Sequence, residues 1–157
     1  MAIPITDVAG MDVFLAPQGS VITDAASAET AITAGKVVSN LIELGDSSET
    51  KTVTPYTTVK GGDSQKAIGS RSFGNMQLDV LYDATDTLGQ ADMESMWSDG
   101  TRREIILRLS DTSGTTPSYV TFEVALSGQD MTFTKDGGVM YKNVAEQCSS
   151  KNVIKAT

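Results

Sequence analysis

Apolar residues recur at every second position along most of this chain, and that period, with its many β-branched residues, predicts strands. The alternation is cleanest at Met76-Gln77-Leu78-Asp79-Val80-Leu81-Tyr82-Asp83. There Met76, Leu78, Val80 and Tyr82 share one face, and Gln77, Asp79, Leu81 and Asp83 share the other. Residues 11–15 read as a short first strand behind a flexible arm of about residues 1–10, and residues 36–44 (KVVSNLIEL) as a strand ended by Gly45-Asp46. In 101–110, Ile105, Leu107 and Leu109 face inward, with Glu104, Ile106 and Arg108 outward. In 119–127, Val120, Phe122, Val124 and Leu126 alternate with Tyr119, Thr121, Glu123 and Ala125. Residues 131–134 and 139–145 form a hairpin around Lys135-Asp136-Gly137-Gly138, because Asp-Gly favours the tight turns that match strand twist.

Two stretches break the period. Residues 16–35 are rich in Ala, Ser, Thr and Gly and read as a long loop; 25–33 has helix-compatible residues without an apolar stripe, enough for a turn or two. Residues 46–71 form a second excursion. Its first part, 51–60 (KTVTPYTTVK), has β character, but Pro55 lacks an N–H, so the segment is an edge strand or a protruding arm. Its second part, 61–70, is polar and glycine-rich. Loops of such length are functional or disordered, and an isolated copy with a disordered loop that orders on docking is compatible with both. One helix is predicted at about 87–98, with Thr87 as N-cap and Gln90 three residues on. Met93, Met96 and Trp97 lie on its packed face, and Gly100 ends it. Residues from about 149 to 157 read as a polar tail. The order of strands, helix and strands predicts one mainly-β domain over 1–157. Its expected form is an antiparallel β-sandwich or barrel with one flanking α-helix and a long loop or arm at about 45–73.

Composition then narrows the chemistry. The chain has no histidine among its 157 residues, which excludes Ser-His-Asp and Cys-His catalysis and removes the commonest proton shuttle and zinc ligand. Cys148 is the only cysteine, so no intrachain disulfide forms; its place suits a small half-buried residue near a strand end better than a reactive thiol. The glycine pairs at 61–62 and 137–138 lack the Lys-Ser/Thr and helix of a phosphate cradle. Asp83, Asp86, Asp92 and Glu94 match no EF-hand spacing, and acids at a helix N-terminus follow from its dipole. No enzyme activity, cofactor or metal is expected. The net charge of −8 argues against an adhesive nucleic-acid binder, though not against a surface that lets DNA pass without holding it. No basic segment followed by an apolar run opens the chain, so it is expected to fold in the cytosol, with no membrane partner.

Across nearly its whole length the chain resembles the major tail tube protein of a long-tailed bacteriophage, of the lambda-like, non-contractile kind. The resemblance is carried by the opening MAIPITDVAGMDVFL, then VVSNLIELGDSSETKTVTPY, GGDSQKAIG, SFGNMQLDVLYDATDTLGQADMESMW and the closing hairpin. The unit at 76–97, an alternating strand, an Asp-rich turn and a Gln-containing helix with an aromatic near its end, carries most of it. The second immunoglobulin-like domain of the lambda tube protein is not matched, so no surface decoration is expected.

That resemblance implies a β-sandwich with a flanking helix, homohexameric rings with a continuous β-barrel as inner wall, and rings stacked into a hollow tube for genomic DNA. It assigns residues 45–73 to contact with the adjacent ring, with Asp46, Lys51, Pro55, Tyr56, Lys60, Lys66 and Arg71 as candidate contact residues. The N-terminal arm and the tail would make further contacts. The implied partners are other copies of the chain, a tape-measure protein, a tail-tip initiator and a tail terminator, in a virion tail assembled in the host cytoplasm. A lumen lined with carboxylates repels phosphate, which makes Glu43, Asp79, Asp83, Glu104 and Glu123 candidate lumen residues. Ordinary solubilising charge is the competing reading of each. Two other readings are a tail terminator or connector ring of the same fold and a carbohydrate-binding or adhesive β-sandwich. The latter fits poorly with an aromatic content of 6%.

Overall fold

The computed structural model describes residues 11–38, 41–57, 61–62, 64–109, 117–135 and 138–155. The expected arm at 1–10, Lys60, the turn at 110–116, the Asp136-Gly137 turn centre and the end of the tail at 156–157 lie outside the described residues. Within them the chain forms β1 (Asp12–Leu15), α1 (Ala25–Ala34), β2 (Lys36–Val37), β3 (Leu41–Leu44), β4 (Glu49–Thr57), β5 (Ser64–Phe73), β6 (Asn75–Leu81), α2 (Gly89–Asp99), β7 (Arg103–Arg108), β8 (Tyr119–Thr134), β9 (Gly138–Gln147) and β10 (Asn152–Ile154). The strand pairs are antiparallel, in keeping with the mainly-β reading of the sequence.

One eight-stranded sheet runs in the order β2-β1-β7-β8-β9-β6-β3, with β10 also on β8; β4 and β5 make a separate two-stranded sheet. β7 occupies one edge of β8, and β9 and β10 share the other, at 124–134 and 119–121 respectively. The expected tail is therefore partly strand: β10 resumes the line of β9 after a break at Cys148–Lys151. The sheet also curls on itself. Its two end strands, β2 and β3, are joined by residues 38–40, a span of at most about 14 Å even fully extended. The single predicted strand 36–44 is thus two strands on opposite edges, and this chain link holds those edges together.

Inside the curl lies the main core, with Val13, Leu15, Leu78, Val80, Ile105, Leu107, Phe122 and Val124 from the sheet and Met93 and Met96 from α2. Burying each such side chain contributes about 1.5–3 kcal/mol. Trp97 departs from the expected packed stripe and is 45% exposed, while Met93 and Met96 are buried. Gly100 ends the helix in the left-handed conformation, φ 64°. The N-terminal cap differs: α2 starts at Gly89 without a side-chain cap, and Gln90 is drawn inward. Its Nε2 donates to Leu81 O at 2.7 Å and its Oε1 accepts from Asp83 N at 3.0 Å, which closes the end of β6.

A second layer covers the outside of β1, β7 and β8, where the sequence suggested a loop. Here α1 packs Ala28 and Ala31 over Phe14, Ile106 and Tyr119. Small residues let the helix approach closely, so no broad apolar stripe is needed, and Asp24 with Ser27 forms a complete capping box. This layer explains why Ile106, outward by alternation, is fully buried. It also buries Tyr119, whose hydroxyl donates to Glu29 Oε1; burial and then that carboxylate push the phenol up to about 12.

Candidate functional site

The 46–71 excursion is mostly a β-hairpin. β4 and β5 pair from Glu49↔Phe73 to Thr57↔Ser64, with one register shift between Lys51 and Val53. Directly paired residues share a face of the ribbon, so Val53 with Ile68 and Pro55 with Lys66 lie on one side, and Thr54 with Ala67 and Tyr56 with Gln65 on the other. Tyr56 Oη donates to Gln65 Oε1 at 3.0 Å. Pro55 fits because each strand of a two-stranded ribbon has an edge free of ladder bonds. The ribbon is exposed along almost its whole length, with Val53 at 52% and Ile68 at 69%. An isolated hairpin is marginal in water. A ribbon with an unburied apolar face is the first candidate for an interaction element.

Its root is pinned to the body. Glu49 Oε1 accepts from Lys151 N at 2.8 Å and Gln147 Nε2 at 3.0 Å, and Arg71 stands 3.8 Å from Glu49 Oε2. Arg71 also donates to Ser150 Oγ at 2.7 Å. The Lys151 N–H, then Gln147 and the charges of Lys151 and Arg71, hold the Glu49 carboxyl below its ordinary range against the opposing effect of burial. Backbone packing adds a second pin. A Cβ on Gly74 would stand 2.0 Å from Ser48 Oγ and 3.3 Å from Ser48 Cβ, so a larger residue there would force the Ser48 side chain aside. Asp46 lines an open depression of about 410 Å³ beside this root, with Gly45, Asn75, Met76, Gln77 and Val144.

The candidate contact residues therefore divide. Lys51, Pro55, Tyr56 and Lys66 lie along the exposed ribbon, Asp46 and Arg71 sit at its root, and Lys60 lies outside the described residues. Sequence reasoning missed Val53, Ile68 and Glu49. The β-branched residues of KTVTPYT carried a partial signal for Val53, but the glycines around Ile68 read as loop.

A second surface is the outer face of the curled sheet beyond α1. Glu43 pairs across strands with Asp79, and Glu104 with Glu123. Like charges directly opposite one another destabilise a sheet. The row continues through Lys142 and Asp130, and Glu146 lies nearby on β9. Asp79 is 4% exposed and its Oδ1 has no hydrogen-bond partner among the described residues. Burial and then Glu43 push its carboxyl above the usual range, with Lys142 opposing. Burial, with Glu123 alongside, also raises Glu104. Asp83, predicted as an outward strand residue, instead sits past the end of β6, where Thr85 N and Oγ1 donate to its Oδ1 and hold its carboxyl down.

The remaining chemistry-bearing side chains have structural partners. Asp92 pairs with Arg103 at 2.8 Å and Lys36 at 3.2 Å, and Glu94 accepts from Tyr141 Oη at 3.2 Å. Among the described residues, no three acids, histidines or cysteines are grouped to hold a metal ion. Nor is any helix among them long and apolar enough to cross a membrane. Cys148 is half-buried just after β9, where burial raises its thiol pKa, away from the reactive thiolate.

No protein-family model matches this chain, and no curated protein matches it in sequence. Its fold, however, is similar to that of several solved structures over nearly its whole length. One is the SPP1 tail tube, with TM-score 0.70 and 8% identity over 96% of this chain and 80% of that one. Another is the tail of an empty gene transfer agent particle with C6 symmetry, with TM-score 0.64 and 12% identity over 94% of this chain and 98% of that one. A third is the PVC sheath/tube terminator of an extracellular contractile injection system in its extended state, with TM-score 0.66 and 11% identity over 98% of both chains. At these identities the likeness is one of fold, and it spans both tail tubes and a contractile system.

Proposed function

We propose that this chain is a structural subunit of a phage-type tail tube, built to associate with copies of itself and not to catalyse a reaction. The observation that carries the proposal is the β4–β5 ribbon, hydrogen-bonded to the body at its root through Glu49 and the Gly74 backbone yet exposed on its apolar Val53–Ile68 face. A monomer gains nothing from that arrangement, whereas a subunit that buries the ribbon against a neighbour does. The likeness of fold to the SPP1 tail tube and to a tail with C6 symmetry supports the reading of hexameric rings stacked into a tube. In this reading the ribbon residues Lys51, Pro55, Tyr56 and Lys66 meet the adjacent ring, with Asp46 and Arg71 setting its base. The face bearing Glu43, Asp79, Glu104 and Glu123 lines the bore, where the summed carboxylates keep phosphate from adhering. The non-contractile kind of tail, the tape-measure, initiator and terminator partners, and a place in the virion tail belong to the same proposal.

Negative-stain electron microscopy across a concentration series tests it, alone and with tail-tip and tape-measure proteins. Hollow tubes of uniform diameter with six-fold end views are expected. Rings that never lengthen would move the assignment to a terminator of the same fold, the reading favoured by the likeness to the sheath/tube terminator. A protein that stays monomeric in every mixture would overturn both.

A further inference from the structure

Resting on the tube reading, we infer that the docking surface for the β4–β5 ribbon is the far end of the β8–β9 hairpin on a second copy, around Tyr82, Met131 and Phe133. Register places Met131 and Phe133 on the core-side face of the sheet, and Tyr82, just past β6, packs on the same side. Met131 pairs with Tyr141 and Phe133 with Val139, and Tyr82 packs edge-on against Tyr141 with ring centroids 5.1 Å apart. They lie beyond the closed part of the core, so they face inward without being covered, and Phe133 is 74% exposed. Among the described residues, nothing covers Phe133.

The two apolar features sit at opposite ends of the same strands. The ribbon springs from the end of the sheet where Asn75 pairs with Glu146; Phe133 lies at the other, where Leu81 pairs with Met140. β6 runs between these ends over seven residues, about 20 Å at 3.3 Å per residue. A ribbon leaving one end of a subunit therefore meets the other end of the next subunit in a head-to-tail stack. Two different patches that complement each other make a heterologous contact, which does not close as a two-fold dimer and, stacked along one axis, grows open-endedly.

Charge agrees with this pairing. Residues 46–73 hold Lys51, Lys60, Lys66 and Arg71 against Asp46, Glu49 and Asp63, a net positive stretch in a chain of net charge −8. At the far end, Asp83 and Asp86 precede α2 and Glu94 bonds Tyr141, against Lys135. Lys66 shares the Val53–Pro55–Ile68 face of the ribbon, so it arrives beside acids where the apolar face arrives beside Phe133.

The test is site-directed cross-linking. Ile68→Cys and Phe133→Cys are made in separate Cys148→Ser copies, mixed, assembled and treated with a short bis-maleimide. A covalent dimer that appears in tubes only when both variants are present is the expected result. Tubes that form from the mixture without that dimer overturn the docking assignment while leaving the tube reading intact. Failure of the Cys148→Ser parent, and of the wild type, to form tubes or rings removes the tube reading and this inference with it. Melting curves of the separate variants matching their parent establish that neither cysteine disturbs the fold.

Discussion

β5 and β6 follow one another in the chain with only Gly74 between them, yet they obey opposite rules. β6 buries Met76, Leu78 and Val80 in the core of its own subunit. β5, with Ile68 at its centre, is exposed from Ser64 to Ser72. Both pair with an antiparallel neighbour. What differs is the third dimension: β6 has a layer of apolar side chains facing it, and among the described residues β5 has none. Ladder pairing gives a strand two faces, and says nothing of whether a partner for an apolar face lies in the same molecule. In the body the hydrophobic effect stabilises the monomer; in the ribbon it is left available for association.

The sharpest way to break this contrast is to damage each side and read both stability and assembly. Phe122→Ala opens a cavity in the closed core, at a fully buried position. It is expected to cost about 3–5 kcal/mol, measured by urea unfolding, and to abolish assembly because the monomer no longer folds reliably. Ile68→Asp, at an exposed ribbon position, is expected to leave monomer stability within about 0.5 kcal/mol of wild type while abolishing tubes. A marked loss of stability in Ile68→Asp would mean that the ribbon belongs to the body after all, and tubes of normal yield would mean that its apolar face is no assembly contact.

Glu49→Gln addresses the joint between the two regions. The substitution keeps the size of the side chain but removes the charge facing Arg71 and weakens the acceptor for Lys151 N. The ribbon should then be cut sooner in limited proteolysis, and tubes should grow several-fold more slowly, with little change in the melting of the body. Unchanged proteolysis would show that the glycine contacts alone set the ribbon's direction. The wild-type contact is also expected to weaken on acidification. The carboxyl of Glu49 is held below its ordinary value of 4.5, so its contribution is present above that pH and is lost as pH falls through the lower, folded value.

How much of this was legible beforehand follows from the same contrast. The strands β6, β7 and β9 were readable from their alternation or hairpin turn, and α2 from Met93 and Met96. β8 was read as two pieces, 119–127 and 131–134, because Ser127-Gly128-Gln129-Asp130 looks like a break, although it is one strand. Three features depend on contacts distant in sequence and left weak signals. α1 is held by Ala28 and Ala31 against Phe14, Ile106 and Tyr119, so its small residues look like loop until the sheet beneath them is known. Lys36–Leu44 reads as one strand because nothing in KVVSNLIEL marks the point where the chain leaves one sheet edge for the other. The ribbon's glycines and Pro55 argued for a loop, since turn formers and an isolated two-stranded ribbon share a composition. Alternation put the acids Glu43, Asp79, Glu104 and Glu123 on the face of the sheet away from the main core. Their arrangement in cross-strand pairs could not be found that way, because register is set by the whole sheet.

That arrangement supplies the subtlest test. Asp79 is buried beside Glu43, and its carboxyl is raised above the ordinary value of 3.8, burial being the larger cause. A carboxyl whose folded pKa lies above its unfolded one disfavours folding when ionised. Its penalty is absent well below pH 3.8, grows as pH rises toward the folded value, and is constant above it. Asp79→Asn removes the charge with little change in shape. The variant should therefore be more stable than wild type at pH 7, and the advantage should shrink as pH falls through the interval between the folded and unfolded values. Taking the difference between the two proteins at each pH cancels the opposite trend contributed by Glu49. A difference that does not vary with pH would show that Asp79 bears no charge penalty, and the sheet face would then be ordinary acidic surface. A pH-dependent difference, with tubes still forming, would mean the chain keeps a destabilising carboxylate that neither its own fold nor its assembly requires, as expected of a wall whose task is to repel what passes along it.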